Sequence, residues 1–207
     1  MSRQHARGLA AFLAAALAVV AGVTGASAAT TWTVRPGGTI SLTSGLFTVK
    51  DVPTGSTLIC ASSALGGSLQ SGGGHPGTGI GAIRTVGIHE CGNLGMFTLT
   101  PGDLPWHVNF TSYDATTRTV TGSIGHVHVH VSGAQCSAVV DGTSDTAGNG
   151  IVKFTYTDST ATLKVLTTGG NLHYYNVNGC AGLVRNGDPA TLSTKFAVGP
   201  KQAITSP

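Results

Sequence analysis

The sequence has little charge: Lys, Arg, Asp and Glu together make up 9% of 207 residues, and the formal net charge is +3. A nearly neutral chain lacks the basic stripe that gives nucleic-acid-binding proteins their affinity, and it lacks a polybasic segment for an anionic membrane. We therefore expect neither nucleic acid nor a membrane surface as a partner. Its hydrophobic share of 41% is that of a globular chain with a buried core.

Motifs for hydrolytic catalysis are also missing. The chain has no Gly-x-Ser-x-Gly elbow and no His-Glu-x-x-His helix pattern, and Glu90 is its only glutamate. A glycosidase needs two carboxylates in opposed roles, whereas most aspartates here, such as Asp141 before glycine, stand beside turn residues. We predict no catalytic residues and a protein that is not an enzyme.

The N-terminus has the pattern of a signal peptide. Arg3 and Arg7 precede an apolar run over residues 9–23, and Ala-Ser-Ala occupies residues 26–28. This predicts a signal peptide over 1–28, cleavage between Ala28 and Ala29, and a single mature domain over 29–207. The alternative is an N-terminal membrane anchor, but the apolar run is shorter than the roughly 20 residues that cross a bilayer.

Cysteine is scarce but even in number. The four are Cys60, Cys91, Cys136 and Cys180, and no two have the C-x-x-C spacing of a zinc ribbon or a thioredoxin-like site. In an oxidising compartment four cysteines predict two disulfides. Three pairings are possible, and we favour Cys60–Cys91 with Cys136–Cys180 because each closes the shorter loop.

Helix signals are nearly absent after the leader. Short runs rich in Thr, Val, Ile, Tyr and Phe recur every 8 to 14 residues between Gly, Asn and Asp, which predicts an all-β domain. We favour an antiparallel β-sandwich, with a closed β-barrel as the alternative. We expect residues 151–157 to pair with 161–166, residues 163–166 to form a hairpin with 172–175, and the glycine-rich residues 66–87 to be a long mobile loop.

Three histidines alternate with valines over residues 126–131. In a strand the imidazoles would share one face, and neighbours two positions apart lie roughly 7 Å apart, close enough to share one Zn²⁺ or Cu²⁺ ion. A metal site built on His126, His128 and His130 would need a further donor, and the candidates are His107, His173, His89 and Glu90. The favoured interpretation is plainer: the valines pack inward, the histidines face solvent, and no cofactor is bound.

The same segment predicts an irregularity. Val120 and Ile124 share even numbering with the histidines, whereas the inward valines of the histidine run are odd. The inward face must therefore change near Gly125, and a β-bulge or a turn there would account for it. A pH-sensing role is a further possibility, since adjacent imidazolium groups would repel one another below about pH 6.5.

Aromatic side chains are few, at 6% of the chain. They could line a groove for a carbohydrate or a peptide, although a tryptophan in a β-sandwich is more often part of the core. The residues considered for such a groove are Trp32, Trp106, Tyr113, Tyr174 and Tyr175.

Several motifs resemble a family of uncharacterised exported proteins of actinobacteria. They include Pro105-Trp106 before a strand, Tyr113-Asp114, the Val-Thr-Gly-Ser-Ile segment at 120–124, and the Gly-Cys and Gly-Asp pairs within 179–188. The resemblance implies an Ala-rich leader, four cysteines and β structure, and it carries no known activity. The histidine run lies outside this pattern.

These observations favour a secreted, non-enzymatic module that acts outside the cell or at the cell envelope. Its partner is unknown, with a cell-wall glycan or an extracellular protein as the candidates. The alternative from another class is a Zn- or Cu-binding protein, or a metalloenzyme, centred on the His-Val-His-Val-His strand.

Overall fold

The computed structural model describes residues 30–92 and 95–207. This part of the chain consists of antiparallel strands joined by turns, without an α-helix. None of its segments is a helix long and apolar enough to span a membrane. The signal peptide expected over 1–28 and the Ala28/Ala29 cleavage site lie outside the described residues.

Sixteen strands are found in the described residues. In chain order they are β1 (Thr31–Arg35), β2 (Gly38–Ser44), β3 (Phe47–Asp51), β4 (Thr57–Leu69), β5 (Gly72–Pro76), β6 (Gly81–Cys91), β7 (Phe97–Gly102), β8 (Trp106–Asp114), β9 (Thr119–Gly133), β10 (Cys136–Asp141), β11 (Gly150–Thr157), β12 (Thr162–Leu166), β13 (His173–Asn178), β14 (Ala190–Ser193), β15 (Lys195–Gly199) and β16 (Ala203–Thr205).

Eight of these strands close into a barrel. The neighbours run β2, β15, β12, β11, β9, β8, β6 and β4, and β4 then pairs with β2. Strict alternation along β11 turns Val152, Phe154 and Tyr156 inward. The all-β class is confirmed, and the closed barrel that was the alternative to a sandwich describes the sheet.

Three long strands continue beyond the barrel into a second set of strands. β4 pairs with β3, the end of β6 pairs with β7, and the second half of β9 pairs with β7 and β10. β13 lies beside β10, and β14 lies beside β3. The chain leading into β14 lies beside the start of β13. Tyr174 N of β13 donates to Asp188 O at 2.9 Å, and Ala190 N, at the start of β14, donates to Leu172 O, just before β13, at 2.8 Å.

The face of β9 that points inward changes at the predicted position. Its first half pairs Gly125 with Ile151 of β11, the next pair joins Val127 to Gly150, and His126 between them is left over. His126 has a positive φ of 64°. The irregularity expected at Gly125 is therefore a β-bulge whose extra residue is the adjoining histidine.

A small sheet of β16, β1 and β5 packs against the barrel. Trp32 of β1 is buried, and its ring centroid lies 5.1 Å from that of Phe110 on β8. Beyond β15, the hydroxyl of Tyr156 donates to Gln202 O at 2.9 Å, and Gln202 N donates to that hydroxyl at 3.0 Å. These contacts tie the C-terminal residues to the barrel wall.

One predicted hairpin is present and another is wrong. β11 pairs with β12 through Thr157↔Thr162 and Phe154↔Val165, as expected for residues 151–157 and 161–166. The expected hairpin between 163–166 and 172–175 does not form, because β12 pairs with β15 whereas β13 pairs with β10. The segment after β12 instead hydrogen-bonds to the start of β11, where Ile151 N donates to Asn171 Oδ1 at 2.6 Å.

The glycine-rich segment 66–87 is not a long loop. It contains the end of β4, all of β5 and most of β6, and β4 pairs with β6 along its length. A Cβ on Gly67 would collide with the carbonyl of Ala82 on the neighbouring strand. Glycine is present here because two strands approach closely, which is a second reason, besides loops, for a glycine-rich sequence.

The two disulfides join the cysteines that were expected to pair. Cys60 of β4 is bonded to Cys91 of β6 directly across the sheet, and Cys136 of β10 is bonded to Cys180 in the loop after β13. No free cysteine occurs among the described residues. Each bond ties one of the long or peripheral strands to its neighbour.

Candidate functional site

The structure separates His126 from the other two histidines of the run. His126, on the bulge, is exposed and stacks against His107 of β8 with ring centroids 4.4 Å apart. His128 instead contacts His130, with centroids 4.7 Å apart. The bulge interrupts strict alternation before His128, so the three imidazoles do not form the single row expected from a regular strand.

The His128 and His130 rings meet edge to face through their nitrogens. Nε2 of His128 lies 3.1 Å from Nε2 of His130, and the ring planes are inclined at 71°. His128 is 5% exposed, whereas His130 is exposed to solvent. The expectation that the histidines of the run face solvent therefore holds for His126 and His130 and is wrong for His128, which is held inside the fold.

Asp141, at the end of β10, holds the buried histidine in place. Its Oδ2 lies 2.8 Å from Nδ1 of His128, and its side chain is fully buried. Its two oxygens also accept hydrogen bonds from four backbone N–H groups, those of residues 142, 148, 149 and 150. Backbone N–H groups of the loop after β10 and of the first residue of β11 thus all donate to one carboxylate.

The hydrogen bonds to Asp141 keep its carboxylate ionised. Burial favours the neutral acid, but the hydrogen bonds from His128 and from the backbone N–H groups outweigh it, so the pKa of Asp141 lies below its usual value. An ionised carboxylate accepts only, so Nδ1 of His128 donates to it. In neutral His128 the lone pair is then on Nε2, the atom that faces His130.

The other expected donors lie elsewhere. His173 contacts the carbonyls of Asn171 at 2.8 Å and Gly142 at 3.2 Å through Nδ1, and His89 is exposed on β6 opposite Ser62. Glu90 is exposed next to His89. Within residues 30–92 and 95–207, no three His, Cys, Asp or Glu side chains are grouped so as to hold a metal ion.

Three of the five aromatic residues considered for a groove lie in the interior of the fold. Trp32, Trp106 and Tyr174 are all buried. The indole N–H of Trp106 donates to Gly102 O at 3.0 Å. These three rings pack in the interior and offer no flat face to a glycan, so the alternative of core aromatics applies to them.

A large apolar cavity is the feature that the sequence did not predict. It has a volume of about 270 Å³ and extends from the barrel, where Ile124, Val152 and Val165 line it, into the strands that continue beyond the barrel. Val127, Val129 and Val131 of β9 line it, on the face opposite the histidines. The other lining side chains include Phe47 and Val49 of β3, Val86 and Ile88 of β6, Phe97 and Leu99 of β7, Ala138 and Val140 of β10, and Leu192.

Polar groups are rare in the cavity wall. Among the residues that the structure describes, the hydroxyl-bearing ones that line it are Ser56, Thr57 and Tyr174, and no charged residue and no histidine does so. Burial raises the pKa of the Tyr174 phenol, and the nearby carboxylate of Asp51 raises it further. The phenol therefore stays neutral, and the described part of the cavity wall carries no charge.

One loop covers part of the cavity. Leu183 and Val184, between β13 and β14, line it, and Leu183 is also 54% exposed. Thr54 Oγ1 donates to Leu183 O at 2.7 Å, and the disulfide from Cys136 to Cys180 fixes the start of the loop. This loop, residues 181–187, is the place where the cavity lining reaches solvent through a large apolar side chain.

Fold and cavity together define a disulfide-bonded β-barrel protein with an apolar cavity between its strands. The model of the family described as alkane oxidation protein activator PraA/PraB-like matches residues 7–194. The chain belongs to this PraA/PraB-like family. No curated protein matches the chain, and no solved structure matches it either.

Proposed function

We propose that this protein binds apolar small molecules, hydrocarbons above all, in the cavity between its strands, and that it acts as an accessory protein rather than as an enzyme. The observation that carries the proposal is the cavity of about 270 Å³ lined almost wholly by apolar side chains. An apolar cavity of about 150 Å³ stays dry and accepts benzene. This cavity has room for a longer hydrocarbon.

The family description supports the choice of ligand. It names an activator of alkane oxidation, and an activator that carries alkane needs an apolar site but no reactive group. The cavity wall fits that role, because the described residues that line it include no acid–base pair. A site with one buried phenol and two aliphatic hydroxyls has no means to attack a C–H bond.

A location outside the cytosol is part of the proposal. Two disulfides are compatible with an oxidising compartment, and disulfides are rare in reduced cytosol. The expected signal peptide agrees with this. A secreted or envelope protein that holds hydrocarbon would raise the local supply of a poorly soluble substrate to the cell.

The test is a displacement titration with an apolar fluorescent probe. We expect N-phenyl-1-naphthylamine to brighten on binding the purified protein, and n-decane to displace it. Each methylene that enters the cavity contributes about 0.8 kcal/mol, which is about a fourfold gain in affinity. Affinity should therefore rise with chain length from hexane to decane until the cavity is full.

Two tryptophan variants show whether the cavity is the site. Val129→Trp places a large ring in the cavity, and we expect it to weaken binding about tenfold. Ile59→Trp is the matched control, because Ile59 is exposed on β4 beside the cavity residue Leu58. Circular dichroism and native mass spectrometry establish that both variants are folded. Equal binding by the two variants, or no displacement by any alkane, would overturn the proposal.

A further inference from the structure

The spacing of two ring nitrogens is close to that required by a metal ion. Two Nε2 ligands bound to one tetrahedral Zn²⁺, each about 2.05 Å from it, lie about 3.3 Å apart. Nε2 of His128 and Nε2 of His130 lie 3.1 Å apart. We propose that this pair forms a binding site for a divalent transition-metal ion, Zn²⁺ or Cu²⁺.

Asp141 gives His128 the form that a metal ligand needs. A ligating histidine almost always donates its other ring N–H to a carboxylate or a carbonyl, which fixes the ring and leaves the second nitrogen free. His128 Nδ1 is 2.8 Å from Asp141 Oδ2. The four backbone N–H groups on Asp141 fix the carboxylate in turn, so the free nitrogen of His128 has a fixed position.

The neighbouring strand makes room for the ring. Gly102 of β7 lies opposite His128, and a Cβ at this glycine would come within 2.7 Å of the His128 Cδ2 atom. Asp103 follows, with its carboxylate 3.7 Å from His128 Nδ1 and its side chain 58% exposed. Two carboxylates therefore lie beside Nδ1 of His128, and across its ring they favour a cation at Nε2.

The coordination shell is open on one side. Among the described residues two ring nitrogens lie within reach of one ion, and His130 is exposed, so water or a small external ligand would complete the shell. Imidazole is a ligand that suits both zinc and copper, and copper binds such nitrogen sites more tightly. We expect a site of moderate affinity, weaker than a closed structural zinc site with four protein ligands.

This site is independent of the cavity. The histidines and the cavity-lining valines Val127, Val129 and Val131 project from opposite faces of β9. Loss of metal binding therefore leaves hydrocarbon binding unchanged, and failure of the hydrocarbon proposal leaves the metal site intact.

Calorimetric titration of the metal-free protein with Zn²⁺ tests the proposal. We expect one ion to bind per chain, and His130→Ala to weaken it at least about tenfold. His89→Ala is the control, because His89 is an exposed strand histidine away from the pair. His126→Ala reports on the other imidazole pair. No heat of binding, or affinity that falls with His126→Ala and not with His130→Ala, would overturn the proposal.

Copper supplies a readout that does not depend on heat. The electron paramagnetic resonance spectrum of the Cu²⁺-loaded protein should show coupling to two nitrogens, and His130→Ala should reduce this to one. Asp141→Asn, if folded by circular dichroism, should weaken binding by about 10–100-fold, as loss of such a supporting carboxylate does elsewhere. A spectrum that lacks nitrogen coupling would count against the site.

Discussion

Asp141 Oδ2 lies 2.8 Å from His128 Nδ1, across 13 positions of sequence. The pair joins the end of β10 to the middle of β9, and the same carboxylate gathers the amides of the loop before β11. One buried side chain thus fixes a ring, a loop and the start of a strand.

Removing this carboxylate should destabilise the protein strongly. Asp141→Ala leaves the backbone N–H groups and His128 without their acceptor in a buried place, and such losses cost about 3–5 kcal/mol. Urea unfolding followed by circular dichroism measures the change. Asp114→Ala is the control, because Asp114 also accepts from neighbouring N–H groups but is exposed at the end of β8. We expect a small change there, and similar losses in the two variants would contradict this role.

Local patterns in the sequence predicted part of this architecture. Alternation of valine and histidine placed Val127, Val129 and Val131 inward, and the change of numbering located the bulge to within one residue, at His126. The cysteine count and spacing led to the pairing that the structure shows. Each of these inferences depends on neighbours in sequence or on a count.

The features that the sequence did not predict depend on which strands, distant in sequence, lie side by side. Asp141 was interpreted as a turn residue before glycine, and nothing near it in sequence indicates His128 as its partner. β13 pairs with β10 rather than with β12, because the barrel closes through β15. The cavity depends on the volume left between inward side chains of many strands, and a pattern of inward and outward residues does not contain that volume.

Close packing across β9 predicts a second destabilising change. A Cβ on Gly122 would collide with the carbonyl of Asn109 and lie 2.5 Å from Cζ of Phe154. Forcing a methyl group into such a place costs about 1–3 kcal/mol. Gly122→Ala should therefore lower the urea midpoint, whereas Gly45→Ala should not, since nothing lies within 4 Å of a Cβ there. Equal urea midpoints for the two variants would contradict this prediction and show that neighbouring atoms shift to accept the methyl group at residue 122.

Alkaline pH should weaken the fold through Tyr174. Burial, with the Asp51 carboxylate, raises the pKa of this phenol in the folded state. The unfolded chain ionises its tyrosine near pH 10 and the folded chain does so only at higher pH, so the contribution to stability is present below pH 10 and falls above it. Unfolding midpoints at pH 8 and pH 11 measure this. Tyr174→Phe should show a smaller alkaline loss than the wild type, and an equal loss would refute the assignment.

The two disulfides offer a comparison between stability and access to the cavity. Their loops have similar sequence separations, 31 residues for Cys60–Cys91 and 44 for Cys136–Cys180. The chain-entropy model gives each a contribution of about 4 kcal/mol. Replacing either pair by serine should therefore lower the free energy of unfolding by similar amounts.

Their effects on ligand exchange should differ. Cys180 begins the loop that carries Leu183 and Val184 over the cavity, whereas Cys60 and Cys91 join β4 to the paired end of β6. Freeing the loop lets these side chains move away from the cavity more often. We expect Cys136→Ser/Cys180→Ser to release the fluorescent apolar probe several times faster than Cys60→Ser/Cys91→Ser in stopped-flow measurements. If both double variants release the probe at the wild-type rate, access to the cavity lies somewhere other than the 181–187 loop.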